Sequence, residues 1–276
     1  MKKIGLIAFD LDGTMLNSHK RLSERNREAL SRCASQGIWV VPATGRTVDG
    51  ITPQIRSISG IDYAITTNGA AVADLKNGQI LKHCTLSNET ALKILHMLEK
   101  YHVMFDPYIK GRGISQSKFM DHLEEYGVKA EVKEMVQATR DVVPDIFRYV
   151  EDYGKGVEKV NVFCPDLKDK EIIREALSAI PGLVISSSMV NNIEINAQGA
   201  TKGAALLWLA EYLGVERDAT MAFGDGENDV SMLKAAGTGI AMANGVEAAL
   251  QAADEMTLSN DEDGVAVAIE KIVFGQ

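Results

Sequence analysis

The chain has 276 residues, 46% hydrophobic and 24% charged, a composition that excludes a disordered chain, a collagen and a coiled coil. Its 38 acidic and 29 basic side chains give a formal net charge of −9, which argues against nucleic acid and anionic lipid as main partners. An anionic substrate would therefore need a locally positive site, a metal ion, or both.

The cysteines and the apolar runs indicate the compartment. Cys33, Cys84 and Cys164 are odd in number and widely spaced, which favours a reducing compartment over a disulfide framework or a zinc site. The apolar run at 4–9 is too short for a signal peptide and ends in an Asp-Leu-Asp sequence. The next run, 204–210, is far short of a membrane span. We expect a soluble, cytoplasmic monomer or homodimer.

The first 70 or so residues predict a β-α-β-α-β arrangement. An apolar run at 4–9 is typical of a strand that is buried on both faces, and runs at 38–41 and 61–66 are two further predicted strands. Between the first two runs, Ser23 can cap a helix that Gly37 ends. This order of elements is typical of a doubly wound parallel sheet.

The C-terminal segment repeats this order of elements. Thr201 caps a predicted apolar helix, and a predicted strand follows at 220–223. A further helix, capped by Asn228, precedes another predicted strand at 239–243. Asn244, with a glutamate three residues later, resembles a capping box for the helix that follows.

The middle of the chain has a different pattern. Alternating residues at 101–117 enclose a Gly-Arg-Gly turn, which predicts a hairpin. Predicted strands at 160–164 and 183–187 flank a predicted helix at 169–180. We therefore predict an inserted α+β domain, with boundaries at 83–190 for the insertion and at 1–82 and 191–276 for the core.

Two carboxylates end the first predicted strand, at the edge of an open α/β sheet where ligands bind. Asp10 and Asp12 are two residues apart, so in an extended segment their side chains can face one pocket, and Gly13 permits a sharp turn after them. Carboxylates this close repel each other unless a divalent cation or a shared proton offsets the repulsion. A turn that simply favours Asp and Gly is the structural alternative.

Two further segments have residues suited to phosphate. Thr44 and Gly45 follow the second predicted strand, and a hydroxyl with a glycine N–H can cradle a phosphate, although an N-cap or a plain loop also explains them. Lys202 begins the helix after Thr201, where a cation opposes the helix dipole. An anion held by the ammonium and the helix N–H groups would remove this conflict, and an exposed lysine is the alternative.

The last segment, 224–229, follows the predicted strand at 220–223. Asp225 and Asp229, among oxygen-rich neighbours, suit a hard cation such as Mg²⁺. An acidic turn in which Asn228 or Asp229 caps the next helix is the alternative. Three of the four segments lie at predicted strand ends and the fourth at a helix start, so all four can meet in one crevice.

Together the four segments resemble the motifs of the haloacid dehalogenase (HAD) superfamily, in the Cof-type phosphatase branch with a type IIB cap. They lie at 10–14, 44–46, Lys202 and 224–229. Stretches at 66–70 and 239–244 also resemble this branch, and the insertion lies where the branch places its cap. The resemblance implies an α/β fold, with a Rossmann-like parallel-sheet core and an inserted α+β cap domain.

The resemblance also implies an activity, namely Mg²⁺-dependent hydrolysis of small phosphorylated metabolites such as sugar phosphates. Asp10 would attack phosphorus and form an aspartyl-phosphate, while Asp12 would protonate the leaving oxygen and then activate water. The implied metal ligands are Asp10, the Asp12 carbonyl, Asp225 and Asp229. The implied phosphate-binding residues are Leu11, Thr44, Gly45, Lys202 and Asn228. Arg46 and Asn68 are candidate substrate contacts, although Arg46 could instead form a structural ion pair.

Two other functions stay open. A phosphomutase would use the same aspartyl-phosphate but return the phosphoryl group to the substrate. A non-catalytic regulator would only bind a phosphorylated ligand, although a pure binder has no need of an acid–base carboxylate such as Asp12. In each case we expect a small-molecule phosphate ester as the partner, and neither nucleic acid nor membrane.

Overall fold

The computed structural model describes residues 3–276, without the side chain of Glu131. The chain divides into two compact units. The first comprises the chain up to Lys82 together with Thr201–Gln276, and the second is His83–Ala200. Within the described residues, no helix has the length and apolar character needed to cross a membrane.

The helices and strands follow in chain order. The first unit begins with β1 (Leu6–Phe9), α1 (Glu24–Ser35), β2 (Trp39–Pro42), α2 (Pro53–Arg56), β3 (Tyr63–Thr66), β4 (Ala71–Asp74) and β5 (Gln79–His83). The second unit has α3 (Asn88–Leu98), β6 (Met104–Ile109), β7 (Arg112–Ser115), α4 (Ser117–Met120), α5 (Ala130–Thr139), β8 (Arg140–Val142), α6 (Ile146–Tyr153), β9 (Lys159–Phe163), α7 (Leu167–Ser178), β10 (Leu183–Ser186) and β11 (Asn192–Ala197). The first unit resumes with α8 (Lys202–Tyr212), β12 (Thr220–Gly224), α9 (Val230–Ala235), β13 (Thr238–Ala241), α10 (Glu247–Ala252), β14 (Glu255–Met256) and α11 (Gly264–Val273).

The first unit is built on a five-stranded parallel sheet in the order β14-β13-β12-β1-β2. Alternate residues of β1 enter two different apolar clusters. Ile7 and Phe9 pack with residues of α1 and α11, whereas Leu6 and Ala8 pack with residues of α8. Burial on both faces explains why these strands are almost entirely apolar. The sheet confirms the predicted doubly wound α/β core.

The predicted strand at 61–66 corresponds to β3. It continues the parallel sheet through one bridge between Ala43 and Ile65, and it pairs antiparallel with β4 on its other side. The backbone N–H of Thr44 donates to the carbonyl of Ile65 at 2.9 Å. The end of β3 therefore lies beside the loop that follows β2.

The second unit is built on a six-stranded sheet in the order β10-β11-β9-β6-β7-β8. All described neighbours in this sheet pair antiparallel except β7 and β8, which are parallel. The predicted hairpin is β6–β7, in which Tyr108 faces Gly113. Helices α3, α6 and α7 contribute buried apolar side chains to the same cluster as the strands. This sheet with its helices confirms the predicted α+β insertion.

The C-terminal end of the second unit differs from the sequence prediction. We predicted that the insertion ends at 190, but the unit ends at Ala200. The reason is β11, which pairs antiparallel with both β9 and β10 and is therefore an internal strand of the second sheet. The core resumes only at Thr201, one residue before α8.

Two of the predicted helix caps are confirmed. The Ser23 hydroxyl accepts a hydrogen bond from the backbone N–H of Asn26 at the start of α1. The Thr201 hydroxyl accepts one from the backbone N–H of Ala204 at the start of α8. Both side chains satisfy a backbone donor that has no partner within its helix.

Two other predicted caps are wrong, because both side chains bind distant parts of the chain. The Asn228 amide donates to Oδ1 of Asn68 at 3.1 Å, and a turn of 3₁₀ helix at Glu227–Asp229 precedes α9 instead. Asn244 donates to the carbonyl of Gly13 at 2.8 Å, and α10 begins after Val246 without a side-chain cap.

Candidate active site

The loops that follow β1, β2 and β12 meet at one edge of the parallel sheet. Because β1 lies between the other two, the residue after it is central. The backbone N–H of Asp10 donates to the carbonyl of Phe223 at 3.0 Å, and that of Ala43 donates to the carbonyl of Phe9 at 2.8 Å. These bonds continue the pairing beyond the strands and fix Asp10 between the two neighbouring loops.

Lys202 lies at the centre of this edge and is fully buried. Its ammonium contacts Oδ1 of Asp10 at 2.5 Å and Oδ1 of Asp229 at 2.6 Å. Burial would lower the pKa of Lys202, but the two carboxylates raise it above its usual value. A buried charge is tolerated only when it is paired, so the structure rules out the alternative of an exposed lysine.

Asp229 shapes the loop after β12. Its Oδ2 accepts hydrogen bonds from the backbone N–H groups of Asp225 and Gly226, at 3.0 and 2.9 Å. Its Oδ1 accepts the bond from Lys202. Both oxygens of this buried carboxylate are therefore engaged within the protein.

The carboxyl groups at the site carry an excess of negative charge. Burial and, to a smaller extent, the charge of Asp229 raise the pKa of Asp225 to about 7. A hydrogen bond from the Thr14 hydroxyl, at 2.6 Å, partly offsets this increase. Burial also raises the pKa of Asp10 well above its usual range, with Lys202 opposing and the neighbouring carboxylates adding to the shift. Both groups thus take up a proton more readily than a free aspartate does.

The same carboxylates fit a divalent cation. Asp10, Asp225 and Asp229 each offer an oxygen atom, and these atoms lie within 4.8 Å of one another. Oxygen donors suit Mg²⁺. The approach of the loops depends on Gly13, whose φ is 88° and at which a Cβ atom would lie 2.3 Å from Oδ2 of Asp225.

Asp12 is held by two cations. The Arg46 guanidinium donates to both of its carboxylate oxygens, at 2.8 and 2.7 Å, and the Lys20 ammonium donates to Oδ1 at 2.9 Å. Burial alone would raise the pKa of Asp12, but these hydrogen bonds and charges lower it to about 2. Asp12 is therefore ionised in this arrangement, and Arg46 forms the ion pair that the sequence left as an alternative.

The structure also places the candidate phosphate-binding residues of the other loops. Thr44 is buried, and its hydroxyl accepts a hydrogen bond from the backbone N–H of Arg46 at 3.1 Å. Gly45 lies between them, and Leu11 lies between the two aspartates of the first loop. Asn68 is buried and contacts Asn228. Asn68 thus contacts another candidate site residue.

Sequence reasoning missed two residues of the site. Thr14 lies within the 10–14 segment but received no role, although its hydroxyl binds Asp225. Lys20 lies in the loop before α1, where no pattern indicates that it reaches Asp12. The position of Thr14 directly after the Asp-Leu-Asp-Gly sequence was a usable signal, whereas Lys20 had none.

The parallel sheet, the inserted α+β unit and the buried aspartate–lysine cluster at the sheet edge define the class of protein. The family of haloacid dehalogenase-like hydrolases matches residues 7–269, and the chain belongs to this family. The resemblance inferred from the sequence motifs is thereby confirmed.

Similar proteins narrow the class to phosphatases. The 5-amino-6-(5-phospho-D-ribitylamino)uracil phosphatase YcsE of Bacillus subtilis is 30% identical, over 98% of this chain and 96% of its own. A haloacid dehalogenase-like hydrolase from B. subtilis superimposes with a TM-score of 0.84 at 28% identity, covering 98% of this chain and 100% of its own. The HAD subclass IIB sugar phosphatase BT4131 has a TM-score of 0.79 at 25% identity, covering 99% of both chains. The chain is a Cof-type HAD phosphatase.

Proposed function

We propose that this phosphatase hydrolyses phosphomonoesters of small polyhydroxylated metabolites, using Mg²⁺ and an aspartyl-phosphate on Asp10. The buried ammonium of Lys202, held between Asp10 and Asp229, is the observation that carries the proposal. It puts a fixed positive charge beside a carboxylate at the ligand-binding edge of the sheet. The names of the relatives, one a sugar phosphatase and one a phosphatase of a phosphoribityl compound, support the substrate class.

Asp10 acts as the nucleophile in the first step. Its carboxylate oxygen forms a bond to phosphorus while the bond between phosphorus and the leaving oxygen breaks. Lys202 holds this carboxylate at 2.5 Å and is itself fixed by Asp229, so the nucleophile needs little reorganisation. The two-step route divides one difficult displacement into two easier ones.

Asp12 acts as the acid and then as the base. In the first step it gives a proton to the leaving oxygen. In the second it takes a proton from water, whose oxygen bonds to phosphorus while the bond between phosphorus and Asp10 breaks. A pKa of about 2 keeps Asp12 ionised, the form that can accept a proton, but makes it a weak base and a poorly populated acid while Arg46 and Lys20 both hold it. For either role, the bound substrate must replace one of these two cationic contacts.

Asp10, the backbone carbonyl of Asp12 and Asp225 would hold Mg²⁺, and Asp229 would support them by shaping the loop. The ion would supply positive charge that offsets the repulsion between the Asp10 carboxylate and the phosphoryl oxygens. Thr44, the N–H groups of Leu11 and Gly45, Lys202 and Asn228 would bind the phosphoryl group, since positioning and charge supply most of the catalysis in such transfers.

A panel of phosphorylated sugars and polyols, assayed with Mg²⁺, tests the proposal. One free phosphate for each ester consumed supports hydrolysis. Return of the phosphoryl group to another hydroxyl of the substrate would indicate a phosphomutase instead. Binding of the esters without turnover, and without any covalent phospho-enzyme, would indicate a regulator. We further propose a cytoplasmic monomer or homodimer, in which the second unit is a type IIB cap.

A further inference from the structure

The 3₁₀ turn at Thr67–Gly69, between β3 and β4, has an unusual backbone. Thr67, Asn68 and Gly69 all have positive φ, at 48°, 59° and 96°. This region is unfavourable for a β-branched residue such as threonine, and it persists only where the surrounding structure imposes it. Neighbouring segments must therefore hold the turn in this conformation.

Two segments of the candidate site contact the backbone of this turn. The N–H of Thr67 donates to the carbonyl of Arg46 at 2.9 Å, and the N–H of Asn68 donates to the carbonyl of Thr44 at 3.0 Å. At Gly69, a Cβ atom would lie 2.2 Å from the carbonyl oxygen of Thr201, at the start of α8. The turn is therefore packed directly between the loop after β2 and the helix that begins with Lys202.

The side chain of Asn68 reaches the third segment. It is 3% exposed, and its Oδ1 accepts a hydrogen bond from Nδ2 of Asn228, in the loop after β12, at 3.1 Å. This position needs a residue that tolerates a left-handed backbone and supplies a hydrogen-bond acceptor. Asparagine does both, because it adopts this conformation readily and has an amide oxygen. The turn thus connects three segments that we propose to bind the phosphoryl group.

We propose that Asn68 is a positioning residue for phosphoryl transfer and acts through Asn228. The inference rests on the proposed role of Asn228 as a phosphoryl ligand. An amide nitrogen has two hydrogens. When Asn228 donates one of these hydrogens to Asn68, the orientation of its amide group is fixed. The second hydrogen can then be donated to the phosphoryl group. Without Asn68 the amide can rotate and present its oxygen, which repels the phosphoryl oxygens.

A double-mutant cycle in kcat/KM tests this coupling. Asn68→Gly removes the side chain but keeps the left-handed backbone, which glycine adopts without strain. We expect a loss of about tenfold, the size of one hydrogen bond. Asn228→Ala should lose at least as much, and the double variant should be no slower than Asn228→Ala alone. The inhibition constant of inorganic phosphate should rise in the same pattern.

Two further variants sharpen the test. Asn68→Asp keeps an acceptor oxygen and tolerates the backbone, so in that background Asn228→Ala should cost as much as in the wild type, whatever the added charge does to the overall rate. Comparing the cost of Asn228→Ala in the two backgrounds tests the coupling even if Asn68→Gly folds poorly. Asn77→Gly is the matched control, because Asn77 is exposed and its amide donates to Asp74 in the same turn. The kinetics of this variant should stay unchanged.

The outcomes separate this inference from the function on which it rests. Losses that multiply in the double variant, or wild-type kinetics for Asn68→Gly, would overturn the positioning role while leaving the phosphatase intact. Absence of any Asp10-dependent phosphate release from the wild type would overturn the proposed chemistry, and the positioning role with it.

Discussion

Lys202 is the side chain on which the charge balance of the site depends most. Its ammonium is fully buried and bridges Asp10 and Asp229, which approach from the loops after β1 and β12. Without it, two buried carboxylates would face each other beside Asp225. The sequence placed a cation at the start of α8, but the partners lie 192 and 27 residues away and became visible only in the fold.

Lys202→Met should therefore damage both catalysis and stability. We expect kcat/KM to fall by at least about 100-fold, because the variant loses a fixed charge that we propose to stabilise the transition state. The free energy of unfolding should fall by about 3 kcal/mol, because a buried ion pair loses one partner. Urea unfolding and steady-state kinetics measure the two effects.

The matched control for this variant is Lys76→Met, since Lys76 forms an exposed ion pair with Asp62. Surface pairs contribute about 0–1 kcal/mol, so we expect little change in stability and none in rate. A Lys202→Met variant with near-normal kcat/KM would show that the remaining groups suffice for catalysis.

Element by element, periodicity predicted the parallel strands and their helices well, because strands buried on both faces require nearly continuous apolar residues. Side chains with long-range partners were predicted poorly. Asn228 and Asn244 were interpreted as helix caps, yet they bind Asn68 and Gly13, at separations of 160 and 231 residues. An asparagine near a helix start fits either role locally, so only the tertiary fold decides.

The loop after β1 approaches the loop after β12 through Gly13, and Gly13→Ala tests this contact. The new Cβ would meet Oδ2 of Asp225, so we expect displacement of that carboxylate and at least about a tenfold weaker Mg²⁺ affinity, equivalent to a lost charged contact. Titration calorimetry with Mg²⁺ measures this change.

Gly37→Ala is the control for Gly13→Ala. Gly37 also has a positive φ, at 80°, but nothing lies within 4 Å of its would-be Cβ. The Gly37→Ala variant should therefore lose about 1 kcal/mol of stability from backbone strain and keep the Mg²⁺ affinity of the wild type. Equal losses of affinity in both variants would show that strain, and not the contact with Asp225, is responsible.

For the whole molecule, the change in sequence pattern indicated an α+β insertion within a parallel-sheet core, and the fold confirms this class. The C-terminal boundary was not predictable, because β11 alternates apolar and polar residues, a pattern typical of a half-buried strand, although five of its six residues are buried. Its pairing with β9 and β10 assigns it to the second unit. The net charge of −9 likewise gave no hint that the candidate site concentrates carboxylates around one buried ammonium.

This concentration of charge predicts how stability depends on pH without metal. The pKa of Asp225 is raised to about 7, and that of Asp10 is raised too, so between pH 4 and 7 the folded state binds more protons than the unfolded state. The contribution of these groups to the free energy of unfolding therefore falls as pH rises through this window. Mg²⁺ would replace the protons, so its effect should grow with pH.

Thermal melts at pH 5.5 and pH 8, each with Mg²⁺ and with a chelator, measure this dependence. We expect Mg²⁺ to raise Tm more at pH 8 than at pH 5.5. Asp225→Asn should reduce the rise at pH 8, because it removes a proposed metal ligand and a titrating group. An equal or smaller rise at pH 8 in the wild type would contradict the proposed link between protons and metal.

We propose that Asp10 carries the phosphoryl group, and the Asp12→Asn variant should trap this intermediate. An aryl phosphate needs little protonation of its leaving group, so this variant should still form the aspartyl-phosphate. Hydrolysis should then stall, because no base activates water. We expect a burst of about one leaving group per site, followed by a slow phase. Mass analysis should locate the phosphoryl group on the peptide containing Asp10, and Asp10→Asn should give no burst. A phosphoryl group on Asp12, a serine or a histidine would show that Asp10 is not the nucleophile.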